Sequence, residues 1–269
     1  MIMFGTDFAS ALKGWNYPTQ KQQGFWRAVG LFLAVFLLFQ ILQIAVAFGL
    51  FHFMLGGSLS GLTQKLPEDY SKFLQASIIG MFPAAMPSVF LALYVSRFGL
   101  ADRKGQLPLH FPRFGLLGWP VLIVGFGVAI LILASVLYGM LNIDPVKELG
   151  LVEKTMTGLA NDPRLFVLAL PSIVLAAPLA EEFLFRGILF AGLTNTVVGR
   201  PGAVLITSAL WAVAHAGAAP WVNVGLIFVM GLLLGTLLLR FGSLWVTIAC
   251  HTAWNAMSSI TLLSLGGHS

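Results

Sequence analysis

The sequence predicts an all-α, polytopic integral membrane protein, built as a bundle of about 7–8 transmembrane helices. Two features of its composition predict this class, because 58% of the 269 residues are hydrophobic and only 9% are charged. Soluble domains carry about 25% charged residues, so this chain has too few to cover a water-facing surface. The third observation is a series of apolar runs near the roughly 20 residues that a helix needs to cross a bilayer.

Seven apolar runs are candidate spans. The first, AVGLFLAVFLLFQILQIAVAFGLFHFML, contains an AVA that resembles a signal-peptidase site, but the apolar run continues past it, which favours an uncleaved helix. The second carries two prolines, which membrane helices tolerate. The fifth and sixth are joined only by GAAPW and should form a tight hairpin. The expected boundaries are 28–55, 76–96, 115–140, 165–190, 203–216, 222–239 and 244–265.

The loops between these runs indicate one domain and its orientation. No repeat or change in composition divides the chain, so residues 1–269 are expected to form a single membrane domain. If the N-terminus is cytoplasmic, the cytoplasmic segments hold nine Lys or Arg residues and the opposite side holds five. Because basic residues favour the cytoplasmic side, we expect a protein of the cell (inner) membrane with a cytoplasmic N-terminus. The basic residues are scattered over short loops, so the net charge of +5 indicates no nucleic-acid partner.

Apart from His52, which lies near the end of the first run, the charged and histidine side chains inside the expected spans are Glu181, Glu182, Arg186, His215 and His251. Such residues cost free energy in lipid unless they pair or face water, and they mark functional sites by default. At 1.5 Å per residue, the expected boundaries place them at comparable depths on three helices, nearer the cytoplasmic face. A buried ion-pair network that only joins helices is the structural alternative.

The spacing on the fourth span separates the two glutamates. Glu182 and Arg186 lie four residues apart, so they share a helix face and can form a supporting ion pair. Glu181 points about 100° away and stays free to act as a general base.

Polar residues on two other spans complete the candidate site. His215, beside a free glutamate, is a candidate to hold or polarise a water, although a lone histidine in a span can also be an interhelical hydrogen-bond partner. His251 and Asn255 are again four residues apart. Two neutral donors on one helix face suit an oxyanion, and the alternative is that they join helices.

Other hydrolase signatures are absent, since the sequence has no G-x-S-x-G and no H-E-x-x-H. Glu181, His215 and His251 are nevertheless an acceptable zinc set, so a zinc-dependent membrane protease on the same residues stays open. Two further alternatives are a non-proteolytic immunity or scaffold membrane protein and a proton-coupled transporter. The transporter is disfavoured because the chain lacks symmetric repeats.

Three motifs occur in order on separate expected helices: E-E-x-x-x-R at Glu181–Arg186, an aromatic-x-x-x-H at Trp211–His215, and H-x-x-x-N at His251–Asn255. With these motifs the chain resembles the CPBP family, which includes the CAAX prenyl proteases and the bacteriocin-processing, Abi-like proteins. The resemblance covers residues 165–262, the expected catalytic core. The family usually has Phe where this chain has Trp211, a difference that concerns the shape of the pocket.

The resemblance implies a glutamic-type intramembrane endopeptidase that uses no metal or other cofactor. Glu181 and His215 would activate a water, and His251 with Asn255 would form the oxyanion hole. The partners implied are the lipid bilayer and a membrane-associated protein or peptide substrate. The implied fold is a bundle of about eight helices around a cavity that opens to the cytoplasm.

Overall fold

A computed structural model describes residues 6–18, 25–64, 67–98, 107–144, 155, 158–217 and 219–266 of the chain. Within these ranges all regular secondary structure is helical, which confirms the expected all-α class. The described helices include α1 (Thr6–Ala11), α2 (Phe25–Gly49), α3 (Leu59–Thr63), α4 (Pro67–Phe98), α5 (Gly115–Leu141), α6 (Pro163–Leu193), α7 (Gly199–Ala214), α8 (Trp221–Phe241) and α9 (Leu244–Gly266).

Five of the described helices are long and apolar enough to cross a bilayer: α2 with its continuation to Met54, α4, α5, α6 and α8. They confirm a polytopic integral membrane protein. The expected fifth span, residues 203–216, corresponds to α7, which has 16 residues, and its length of about 24 Å is less than the roughly 30 Å of a hydrocarbon core. α9 is long enough at 23 residues but carries several polar residues. The expected count of seven or eight spans therefore depends on α7 and α9.

The α6 helix lies at the centre of the described bundle, where it contacts α2, α4, α7 and α9. From Glu182 to Leu193 every residue of α6 is buried. Its apolar side chains, such as Phe183, pack in the main hydrophobic core with Trp211 of α7 and Leu234 of α8. The side chains of Glu182 and Arg186 are therefore surrounded by protein and not by lipid.

The backbone of α6 leaves the α-helical pattern in two stretches, Ser172–Ala176 and Glu182–Leu189, which are π-helical. At the end of the first stretch the N–H of Ala177 donates to the carbonyl of Ser172, five residues earlier. π-helical turns are rare and are frequent at functional sites. The α-helical piece between them, Ala177–Glu181, carries the first of the two consecutive glutamates.

The segment before α2 is tied to the ends of α7 and α8. The N–H groups of Asn16 and Tyr17 both donate to the carbonyl of Leu239 at 3.0 Å, and Arg200 donates to the carbonyl of Tyr17 at 3.1 Å. Burial of the Tyr17 side chain raises the pKa of its phenol. Gly242 permits the close approach, since its φ is +64° and a Cβ there would collide with the carbonyl of Asn16.

Candidate active site

The two consecutive glutamates of α6 lie in different surroundings. Glu182 and Arg186 both have side chains that are 0% exposed, and Glu182 Oε1 lies 3.0 Å from Arg186 Nη1, as their spacing predicts. Glu181 keeps 21% of its side chain exposed. Because consecutive helix positions point in different directions, one carboxylate is neutralised inside the protein while the other reaches accessible space.

His251 of α9 lies between the two carboxylates. Its Nδ1 is 3.1 Å from Oε1 of Glu182, and its Nε2 is 3.9 Å from Oε2 of Glu181. An ionised carboxylate can only accept hydrogen bonds, so Nδ1 carries a proton and donates it to Glu182. In the neutral imidazole the lone pair is then on Nε2, which faces Glu181. Glu182 thus sets which nitrogen of His251 is available to the site.

Trp211 of α7 contacts four ionisable side chains of the site. Its Nε1–H donates to Oε2 of Glu181 at 2.6 Å, and the guanidinium carbon of Arg186 lies 4.3 Å from the centre of its ring. Its ring also makes edge contacts with the rings of His215 and His251, at centroid distances of 5.4 and 5.2 Å. The sequence indicated this residue only as part of a motif, with no sign of its bond to Glu181.

His215 is the C-cap residue of α7 and lies at the end of the expected fifth span, residues 203–216. The helix ends here because Gly217 and Pro220 follow within five residues. Nδ1 of His215 is 2.8 Å from the backbone carbonyl of Trp211. A carbonyl only accepts, so Nδ1 is the donor and Nε2 of the neutral ring is free to accept a proton. In the described part of the chain, Glu181 and His215 are not joined directly, and each is bonded to Trp211.

Asn255 of α9 donates from Nδ2 to the carbonyl of Ile173 at 2.9 Å. The π-helical pattern of α6 explains why this carbonyl needs a donor. The next bond after Ala177 to Ser172 would run from residue 178 to Ile173, and Pro178 has no N–H. Asn255 therefore supplies the missing donor.

Ser172 likewise bonds a backbone carbonyl of α4 that a proline leaves without its usual donor. Pro83 cannot donate to the carbonyl of Ile79, four residues earlier, and the Ser172 hydroxyl donates to that carbonyl at 2.9 Å. The N–H of Phe82 in turn donates to the Ser172 oxygen at 3.1 Å. Ser172 had no role predicted from the sequence, although a proline in one span and a serine in another are the residue types that such a bond requires.

Arg186 has unused hydrogen-bonding capacity. Its Nε and Nη2 are buried and have no hydrogen-bond partner among the described residues. The stacking on Trp211 offsets part of the cost, since a guanidinium is attracted to the face of an indole ring.

The zinc alternative requires three ligands that converge on one point. In the described ranges, no three His, Cys, Asp or Glu side chains are arranged so that they could hold a metal ion. The Glu181, His215 and His251 set therefore does not fit a zinc ion in this arrangement.

The site combines a partly exposed carboxylate with two imidazoles whose free nitrogens are set by hydrogen bonds. A carboxylate and an imidazole can take up and return protons, as hydrolysis of an amide by water requires.

A family model described as Rce1-like, type II CAAX prenyl endopeptidase, matches residues 163–257. The match confirms the resemblance to the CPBP and CAAX proteases, and the matched residues include all three motifs. It supports, in general terms, an intramembrane endopeptidase of the CAAX type. No curated protein and no solved structure matches the chain.

Proposed function

We propose that this protein is a glutamic-type intramembrane endopeptidase that cleaves a peptide bond of a membrane-associated protein or peptide. The polypeptide enters from the cytoplasmic side, which is also the side on which we place the N-terminus. Catalysis requires no metal ion in this proposal, because the proton transfers are assigned to side chains of the chain itself.

In the proposed reaction, Glu181 accepts a proton from a water as the water oxygen attacks the peptide carbonyl carbon. The second hydrogen of that water is donated to Nε2 of His215. The electron pair of the C=O bond moves to the carbonyl oxygen and forms an oxyanion. The proton then passes from Glu181 to the amide nitrogen, the C–N bond breaks, and a carboxylic acid and an amine are released.

The oxyanion is assigned to His251 and Asn255. Asn255 donates its second amide N–H, because the first is given to Ile173. His251 donates from Nε2, so in this step it holds protons on both nitrogens, since its Nδ1–H is given to Glu182. The Glu182 carboxylate stabilises that cation, because Glu181 is protonated in the same step.

The observation that carries the proposal is the contrast between neighbouring carboxylates. Glu182 is fully buried and paired with Arg186, whereas Glu181 is partly exposed and lies beside an imidazole. An ion pair that only joins helices needs only the first arrangement, the buried pair of Glu182 and Arg186. The second supplies an accessible base, and a non-proteolytic scaffold has no use for one.

The test uses full-length protein purified in detergent with two quenched-fluorescent peptides. One ends in a farnesylated Cys-a-a-X sequence, and the other has the same sequence without the lipid. We expect wild-type protein to cleave the lipidated peptide and Glu181→Ala to cleave neither. The matched control is Glu68→Ala, which removes a carboxylate from an exposed i, i+4 pair on α4 and should leave cleavage unchanged.

Cleavage by Glu181→Ala at the wild-type rate contradicts the proposal. Cleavage of the unlipidated peptide alone keeps the endopeptidase function but changes the substrate class. Gel filtration and thermal unfolding of each variant separate loss of chemistry from loss of fold.

A further inference from the structure

We propose that the indole N–H of Trp211 is the positioning group that holds the Glu181 carboxylate away from His251. This inference rests on the proposed endopeptidase function, in which Glu181 must accept a proton from water. It assigns to Trp211 a task that an aromatic ring without an N–H could not perform.

The distances show why the Glu181 carboxylate needs a group that holds it in place. Oε2 of Glu181 is 2.6 Å from Nε1 of Trp211 and 3.9 Å from Nε2 of His251. A direct charge-assisted bond to His251 would need a separation of about 2.8 Å. When His251 holds protons on both nitrogens, as the proposed oxyanion step requires, a shift of about 1 Å would therefore join the two groups. In the joined state Glu181 is neutralised by His251, and neither group is free for the proposed reaction.

Trp211 can resist that shift because it is itself held from several sides. The residue is 2% exposed, and the buried guanidinium of Arg186 lies against its ring face. The rings of His215 and His251 contact its ring at 76–81° between planes. The indole therefore has one orientation, and its N–H points at the carboxylate.

The same residue also holds the second imidazole. The backbone carbonyl of Trp211 accepts the Nδ1–H of His215, while its side chain donates to Glu181. One residue thus fixes both groups that the proposed mechanism uses to activate water. Because the side chain and the backbone do this separately, a side-chain substitution should disturb Glu181 and leave the His215 bond in place.

The experiment compares Trp211→Phe with Trp245→Phe. Trp245 also donates an indole N–H, to the carbonyl of Leu109 at 2.9 Å, but it has no contact with Glu181 among the described residues. A third variant carries benzothienylalanine at position 211, which keeps the two-ring shape and replaces the N–H with sulfur. Cleavage of the farnesylated peptide gives kcat and KM for each protein.

We expect Trp211→Phe and the benzothienyl variant to lose about 10- to 100-fold in kcat with KM within a factor of about two, the size of a bond to a charged group. Trp245→Phe should keep the wild-type kcat. A benzothienyl variant with wild-type kcat overturns the inference, because it shows that the N–H is not needed. A loss shared equally by Trp245→Phe also overturns it, since the effect is then general to the fold.

A spectroscopic measurement is independent of any substrate. The indole resonance of Trp211 in ¹⁵N-labelled protein, assigned by its absence in Trp211→Phe, should move upfield in Glu181→Ala. An unmoved resonance overturns the inference while the endopeptidase function stands. Wild-type protein that cleaves neither peptide, with a resonance that does move, overturns the proposed function and the positioning role but not the hydrogen bond.

Discussion

The helices α5 and α6 are similar as membrane spans and different as parts of the protein. Both are apolar and long enough to cross a bilayer, with 27 and 31 residues. α5 buries only 17% of its most apolar stretch and α6 buries 39%. α5 is an unbroken α-helix without a charged residue, whereas α6 is interrupted by two π-helical stretches and holds Glu181, Glu182 and Arg186.

The difference shows that the length of an apolar run identifies a membrane span but not the function of that span. α5 exposes large apolar side chains, including Leu116, Val124 and Ile132, as a helix in contact with lipid does. α6 exposes less and depends on neighbours for its hydrogen bonds. Its π-helical turns leave a carbonyl that α9 must satisfy. Because both the backbone and the charged side chains of α6 need partners, the neighbouring helices must hold α6 in a fixed position.

The largest expected effect concerns the chemistry of α6. Glu181→Gln keeps the size of the side chain and removes its ability to take up a proton, so cleavage should fall about 10³-fold. Leu131→Ala on the exposed face of α5 should leave the rate unchanged. Both are measured as kcat with the farnesylated peptide. The contrast between the two helices is contradicted if Leu131→Ala loses as much activity as Glu181→Gln.

The next effect concerns stability. Arg186→Leu leaves the Glu182 carboxylate buried without its arginine partner and bonded only to His251. This should cost about 3–5 kcal/mol of unfolding free energy. The double variant Glu182→Leu with Arg186→Leu should recover part of that loss, because no uncompensated charge remains. Unfolding in sodium dodecyl sulfate measures both. An exposed counterpart, Lys72→Leu on α4, should cost less than about 1 kcal/mol.

A smaller effect should appear at the junction of α6 and α9. Asn255→Ala removes the donor to the Ile173 carbonyl and should cost about 1–3 kcal/mol. In a Pro178→Ala background the backbone N–H of residue 178 can bond that carbonyl, so the same substitution should cost less. The two variants and their combination form a double-mutant cycle. Costs that add within about 0.5 kcal/mol would mean that the proline does not create the need for Asn255.

The smallest expected effect is that of metal removal. If cleavage uses only side chains of this protein, incubation with a chelator should leave kcat unchanged. Metal analysis of purified protein should find less than stoichiometric zinc. Loss of activity with a chelator, restored by added zinc, would support the zinc-dependent alternative.

Much of this arrangement follows from residue type and spacing. The apolar runs locate the spans, and the i, i+4 rule predicts the bond between Glu182 and Arg186 because such a pair is local in sequence. The end of α7 at Ala214 lies two residues before the expected boundary at 216, because a hydrophobic run does not show where a helix ends, and His215 is its cap.

Contacts between helices could not be read from local patterns. The bond from Trp211 to Glu181 joins residues 30 positions apart, and it depends on how α6 and α7 pack. The role of Asn255 depends on a change from α- to π-helical winding around Ile173. No spacing in the sequence marks that change, because the same residues could wind either way.

The amide of Asn255 fastens α9 to α6 at a point about two turns before Glu181. A tilt of α9, such as an incoming polypeptide could impose, would pull on a backbone oxygen and thereby on the winding of α6. The Glu181 carboxylate would then rotate relative to His251. Substrate entry and alignment of the base would be mechanically linked through one amide group.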